Sequence, residues 1–177
     1  MEFVKIPEEE IGSNYMYEQV NQYRVTKYDP KNRVNGVYTK DEWISMYDVG
    51  KTYDGKLFTF AEYLKVEESY LNVIDIVMNE SNVGNVKVKD GERIFAVLNN
   101  STLDSREEVL MIARSVLRED FWCKLEAENF FVHFGYDFYM YIGADIDDEK
   151  MRKIAEENGL FAERINESPY LRIPEED

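Results

Sequence analysis

Residues 124–151 read KLEAENFFVHFGYDFYMYIGADIDDEKM. Aromatic and β-branched residues crowd both sides of Gly135-Tyr136-Asp137, the composition of two strands joined by a short turn. A three-residue loop at 135–137 pairs Phe134 with Phe138, Val132 with Met140 and Phe130 with Ile142. In that register all six share one face, while Phe131, His133, Tyr139 and Tyr141 share the other. A two-residue loop at Tyr136-Asp137 breaks the agreement, because a one-residue slip turns every side chain to the opposite face. The strands are therefore predicted at 125–134 and 138–143. After Gly143-Ala144, Asp145 or Asp147 caps a helix over 147–158 with Met151, Ile154 and Ala155 inward, and Gly159 stops it.

Working outward, Thr59 and Glu62 form a capping box for a helix over 60–79. Its apolar face is built from Phe60, Tyr63, Leu64, Tyr70, Leu71, Ile74, Val77 and Met78. Val86 and Val88 predict a short strand, Asp90-Gly91 a tight turn, and 93–98 the returning strand of a hairpin. A helix over 104–121 starts from Asp104 or Ser105, with Glu107 and Glu108 at its positive end. Val109, Ile112, Ala113, Val116 and Leu117 face inward there, and Arg114 and Arg118 lie on the wet side. The segment LFAERI at 160–165 reads as a last strand.

Tyr15–Tyr28 has extended character with imperfect alternation, so a bulge or two short strands is expected. Within 29–58, Asn35-Gly36 and Asp54-Gly55 are strong turn pairs. Short strands or a helical turn are expected between them, in a natural place for an insertion that carries recognition. A polar lead-in at 1–14 and a frayed tail at 174–177 bracket a single domain over 1–177. Hairpins require antiparallel pairing, so the expected class is α+β: a two-layer domain, a mainly antiparallel sheet with about three helices packed against one face.

The 177 residues carry 36 acids against 21 Lys and Arg, a net charge of -15. Such a field repels phosphate backbones and anionic lipid, and the densest basic stretch, NVKVKDGER at 85–93, is broken by Asp90 and Glu92. Neither nucleic acid nor a membrane is therefore an expected partner. The same field favours a basic protein, such as a nuclease toxin neutralised by an acidic inhibitor or immunity protein, although acidity also serves solubility alone. One Cys rules out an intramolecular disulfide, and one His with one Cys disfavours a zinc site. With no basic-then-apolar leader and no apolar run of spanning length, a cytoplasmic location is expected. Oligomeric state is not legible.

No phosphate-binding glycine motif or nucleophile elbow is present, and DGK at 54–56 is a turn followed by a lysine, so no cofactor and no catalytic group are assigned. Cys123 reads as a small buried hydrophobe, although a strand could bring it near His133. DIDDE at 145–149 lacks the spacing and glycine of a calcium loop and is explained by helix capping. Glu67 falls near the centre of the first helix's apolar face, where a carboxylate needs Arg24, Lys27, His133 or a tyrosine hydroxyl. Glu67→Gln is expected to be tolerated if the acid is merely hydrogen-bonded and to cost about 2–5 kcal/mol if it pairs with a buried cation, the tolerated outcome being favoured. The favoured binding surface is Phe131, His133, Tyr139 and Tyr141, rimmed by Asp145, Asp147 and Asp148. The alternative is a small-ligand pocket or hydrolase-like site using Glu67 with His133 and tyrosines.

Overall fold

The computed structural model describes residues 20–91 and 98–171. The alternating segment at the start of that range forms β1 (Asn21–Thr26), which sends Tyr23 and Val25 into the core. Thr59 and Glu62 close the expected capping box, and α1 runs Phe60–Glu80. After β6 (Lys87–Lys89), Ser105 caps α2 (Arg106–Leu117). Then β7 (Lys124–Ala127), β8 (Phe130–Phe134) and β9 (Met140–Ala144) form a meander. Asp147 caps α3 (Asp148–Glu157), and β10 (Phe161–Ile165) completes the sheet.

The six strands are ordered β10-β1-β9-β8-β7-β6, and every pairing is antiparallel. β1 is thus inserted between β9 and β10. The three helices of the described residues bury their apolar side chains with Leu125, Phe130, Val132, Phe134, Met140 and Ile142 in one core. This is the expected α+β arrangement of helices on a sheet.

The span 29–58 holds two miniature hairpins, β2–β3 (Arg33–Val34, Val37–Tyr38) and β4–β5 (Thr52–Tyr53, Lys56–Leu57). Both central residues of each turn have positive φ: Asn35 52° and Gly36 81°, Asp54 48° and Gly55 75°. That is the geometry the Asn-Gly and Asp-Gly pairs favour. The span also ties itself to β1 through Lys27. Its ammonium lies 4.1 Å from the Tyr28 ring centre, 4.3 Å from that of Trp43 and 3.1 Å from Glu42 Oε2. Burial lowers the Lys27 pKa even beside this carboxylate.

Four expectations need correction. The strand expected at 125–134 is two strands, because Asn129 takes φ 58° and turns the chain back on itself. The loop after β8 is longer than three residues: Phe134 pairs with Met140 and Val132 with Ile142, a register two residues away from the expected one. A shift of two preserves the side-chain parity, so the division into faces survives. α2 ends at Leu117 rather than near 121, with Glu119 at φ 61°. Phe60 and Leu64, assigned to the buried face of α1, are 48% and 37% exposed. The lead-in 1–14, residues 15–19, residues 93–97 of the expected hairpin strand and the tail 174–177 lie outside the described residues.

Candidate functional site: an acidic aromatic cleft

The loop between β8 and β9 is closed by its own backbone: Gly135 N–H donates to Tyr139 O at 2.6 Å, and Tyr139 N–H to Tyr136 O at 3.1 Å. Asp137 and Phe138 have φ of 57° and 62°, a conformation unfavourable for a bulky aromatic residue. Packing offsets the strain. The Phe138 ring sits edge-on to Trp43, Tyr63 and Tyr70, and the Tyr70 hydroxyl donates to Phe138 O at 2.6 Å. With Phe138 anchored inward, Tyr136 projects outward and is 87% exposed.

Beside this loop is a cleft of about 660 Å³. One wall comes from the end of α2 and the chain after it, another from Ile44 and Ser45, and a third from Tyr170. The region 29–58 thus supplies part of the cleft. Trp122 is fixed in the lining by its indole N–H, which donates to Phe134 O at 2.8 Å. Tyr136, Tyr139 and Tyr170 add three further rings. Among the described residues the lining contains the exposed acids Glu119, Asp120 and Asp137 and no Lys, Arg or His.

The helix-free face of the sheet adjoins the cleft through Tyr170, whose ring lies 5.6 Å from Trp122, 5.8 Å from Tyr141 and 6.2 Å from His133. Phe131 and His133 are wholly buried there and stacked at 4.3 Å. Gly143, opposite Phe131, leaves room for that ring. His133 Nε2 is 2.8 Å from Glu126 Oε1 and Nδ1 is 2.9 Å from Ser168 Oγ. Since a carboxylate only accepts, the neutral ring donates from Nε2 and accepts the Ser168 hydroxyl proton at Nδ1. Burial holds the His133 pKa below its ordinary value, against the pull of Glu126.

Ser168, His133 and Glu126 therefore stand in the order that activates a serine nucleophile. Ser168 is fully buried, however, and its Oγ also accepts from Tyr170 N–H at 3.3 Å. None of the three lines the cleft. Ser168 N–H donates to Gln22 Oε1 at 2.8 Å, so the group fastens the segment after β10 across the sheet.

The expected binding set is divided by the structure. Tyr139 and Tyr141 are half-buried, Tyr139 lying 5.5 Å from Tyr28 with Arg24 5.8 Å over its ring. Asp145, Asp147 and Asp148 lie beyond the far end of β9 from the loop. Asp147 accepts from Lys150 N–H as the helix cap. Asp148 accepts from Arg164 and the Tyr23 hydroxyl, and Arg164 chiefly holds its pKa below the carboxylate range.

Nor does the structure join Glu67 to His133. Glu67 is buried on the helical side, where Arg118 grips it with two hydrogen bonds of 2.6 and 2.8 Å. Arg114 Nε makes an ionic contact at 3.2 Å without hydrogen-bond alignment. Both arginines, assigned to the wet side of α2, turn toward α1 instead. Cys123 is buried, and burial pushes its thiol up to about 12, away from thiolate chemistry. Among the described residues no group of three His, Cys, Asp or Glu is placed to hold a metal ion.

Trp122, Tyr136, Tyr170 and the three cleft acids were not in the expected set. A signal for Tyr136 alone was legible: an aromatic residue at the tip of the Gly135-Tyr136-Asp137 turn has no sheet face to occupy. Comparison with known proteins finds no matching family model, no matching curated protein and no matching solved structure.

Proposed function

We propose that this chain is an acidic binding domain for a basic protein, acting in the cytoplasm as an inhibitor or immunity-type partner. The observation that carries the reading is the aromatic cleft, whose lining among the described residues holds three carboxylates and no cationic side chain. It lies beside an 87% exposed tyrosine on a chain of net charge -15. Tyr and Trp supply large contact areas with few rotatable bonds, and a negative field accelerates encounter with a basic surface. The strained loop fits the same role, since strain at Asp137 and Phe138 persists only because burial of Phe138 holds it. Among the described residues no helix is long and apolar enough to cross a membrane.

The hydrolase-like alternative has less support. Its most suggestive geometry, Ser168–His133–Glu126, is closed to substrate by the burial of Ser168. The test is affinity capture from the native lysate at low and high salt, with Tyr136→Ala as the matched control and mass spectrometry of retained proteins. The expected result is enrichment of basic proteins that wash off as salt rises and are not retained by the variant. Retained proteins no more basic than the lysate, or equal retention by Tyr136→Ala, contradict the reading.

A further inference from the structure

Trp122, Tyr136, Tyr139 and Tyr170 line the same cleft as Glu119, Asp120 and Asp137. Cations nearby are ion-paired with other acids: Arg118 with Glu67, although it also feels the charge of Asp120, and Arg24, which overlies Tyr139, with Glu163 together with Arg33. The three cleft carboxylates form no ion pair among the described residues. Ring faces attract a cation through their quadrupoles, and carboxylates attract it through their charge, so both effects act in one volume.

The shape of the site selects between cations. An ammonium is compact and strongly hydrated, and it has no planar edge that can pair with a carboxylate while its face stacks on a ring. A guanidinium is planar and weakly hydrated; it stacks on aromatic rings while its N–H edges bind carboxylates in pairs. A cleft of about 660 Å³ accommodates a long side chain entering from a partner's surface. We infer that the cleft between the end of α2, the 135–139 loop and Tyr170 receives an arginine side chain of a basic protein. This rests on the partner class proposed above and adds the recognised group and the place where it binds.

The test is a two-dimensional ¹H–¹⁵N NMR titration of the full chain with the acetylated amides of arginine, lysine and citrulline. Citrulline has nearly the shape of arginine without its charge. The arginine probe is expected to shift the Trp122 indole signal and the Gly135, Tyr136 and Asp137 amides saturably. Its binding should be about fivefold or more tighter than that of citrulline amide and tighter than that of lysine amide. Asp120→Asn combined with Asp137→Asn should weaken the arginine probe about fivefold. Because both acids are exposed, the unfolding midpoint should stay at the wild-type value.

Equal shifts with citrulline amide, equal affinity for lysine amide, or no shift at the cleft each overturn the assignment. Cleft signals that move on Arg172→Ala without any probe would assign the cleft to the chain's own tail and also overturn it. Capture by the wild type and the double Asn variant separates this inference from the broader function. Basic proteins retained equally by both overturn the arginine site and leave the basic-partner reading standing. An arginine response without capture of any basic protein overturns both the partner reading and the assignment to a partner's side chain.

Discussion

Glu67 is 2% exposed, and both its oxygens accept from Arg118, which is itself about one-third exposed at 32%. Glu67→Gln keeps the size of the side chain but removes the charge and leaves an amide facing two guanidinium groups. The expectation of tolerance assumed an acid with neutral partners, and Arg118 changes the sign. The substitution should destabilise the fold by about 1–3 kcal/mol, the range for a charged hydrogen bond reduced because water still reaches Arg118. Urea unfolding of wild type and variant measures it; an unchanged midpoint contradicts the assignment. Gly143 gives a second test. A methyl built there lies 2.6 and 2.8 Å from Phe131 Cδ1 and Cζ, and nearer still to Cε1. Stacking on buried His133 leaves that ring little room to yield. Gly143→Ala should cost about 1–3 kcal/mol. Part of the loss should return in the double variant with Phe131→Leu, and strict additivity in that cycle would show that the ring is not the obstacle.

The segment after β10 is held by two hydrogen bonds through Ser168: His133 with its hydroxyl, and Gln22 with its backbone N–H. His133 is neutral in the fold because burial depresses its pKa, whereas in the unfolded chain it takes up a proton near pH 6.5. Between the depressed folded value and 6.5 the unfolded state binds more protons. Stability is therefore fully present above about pH 6.5 and lost as pH falls toward the folded pKa, with a limiting slope of about 1.4 kcal/mol per pH unit. His133→Gln should flatten that window. Equilibrium unfolding between pH 5 and 8 checks it, and an equal slope in the variant would assign the pH dependence to other groups.

At the level of elements, the three helices among the described residues were legible because each has an apolar stripe and a side-chain cap: Thr59, Ser105 and Asp147. The β7–β8 turn was not legible, because Glu128-Asn129 lacks a glycine and interrupts a run that alternates well as one strand. The Arg118–Glu67 pair was hidden for another reason: an arginine beyond the stripe of its own helix meets a neighbouring helix only once the two have packed. In the loop, Phe138 was read on the correct side but in the wrong conformation. Its positive φ depends on contacts with Trp43, Tyr63 and Tyr70, which lie far away in sequence.

Across the whole molecule, charge and topology converge on one end of the sheet. Antiparallel pairing of β8 and β9 sets the 135–139 loop beside the end of α2, and the segment carrying Tyr170 is fastened over the opposite face. The aromatic character of the site was legible through Tyr139 alone, because Tyr141 lies on the sheet beside the cleft, against Tyr170. Its acids were not, because Glu119, Asp120 and Asp137 come from separate turns and meet only around the cleft, whereas the conspicuous run at 145–149 serves the start of α3. The most direct measurement is the dissociation constant of the captured basic partner for wild type and Tyr136→Ala, with each protein's unfolding curve as control. Tyr136 is 87% exposed, so its removal should leave the unfolding curve unchanged. Loss of a hot-spot tyrosine should weaken binding by about 2 kcal/mol, or roughly thirtyfold. An unchanged dissociation constant with an unchanged unfolding curve would place the binding surface elsewhere on the molecule.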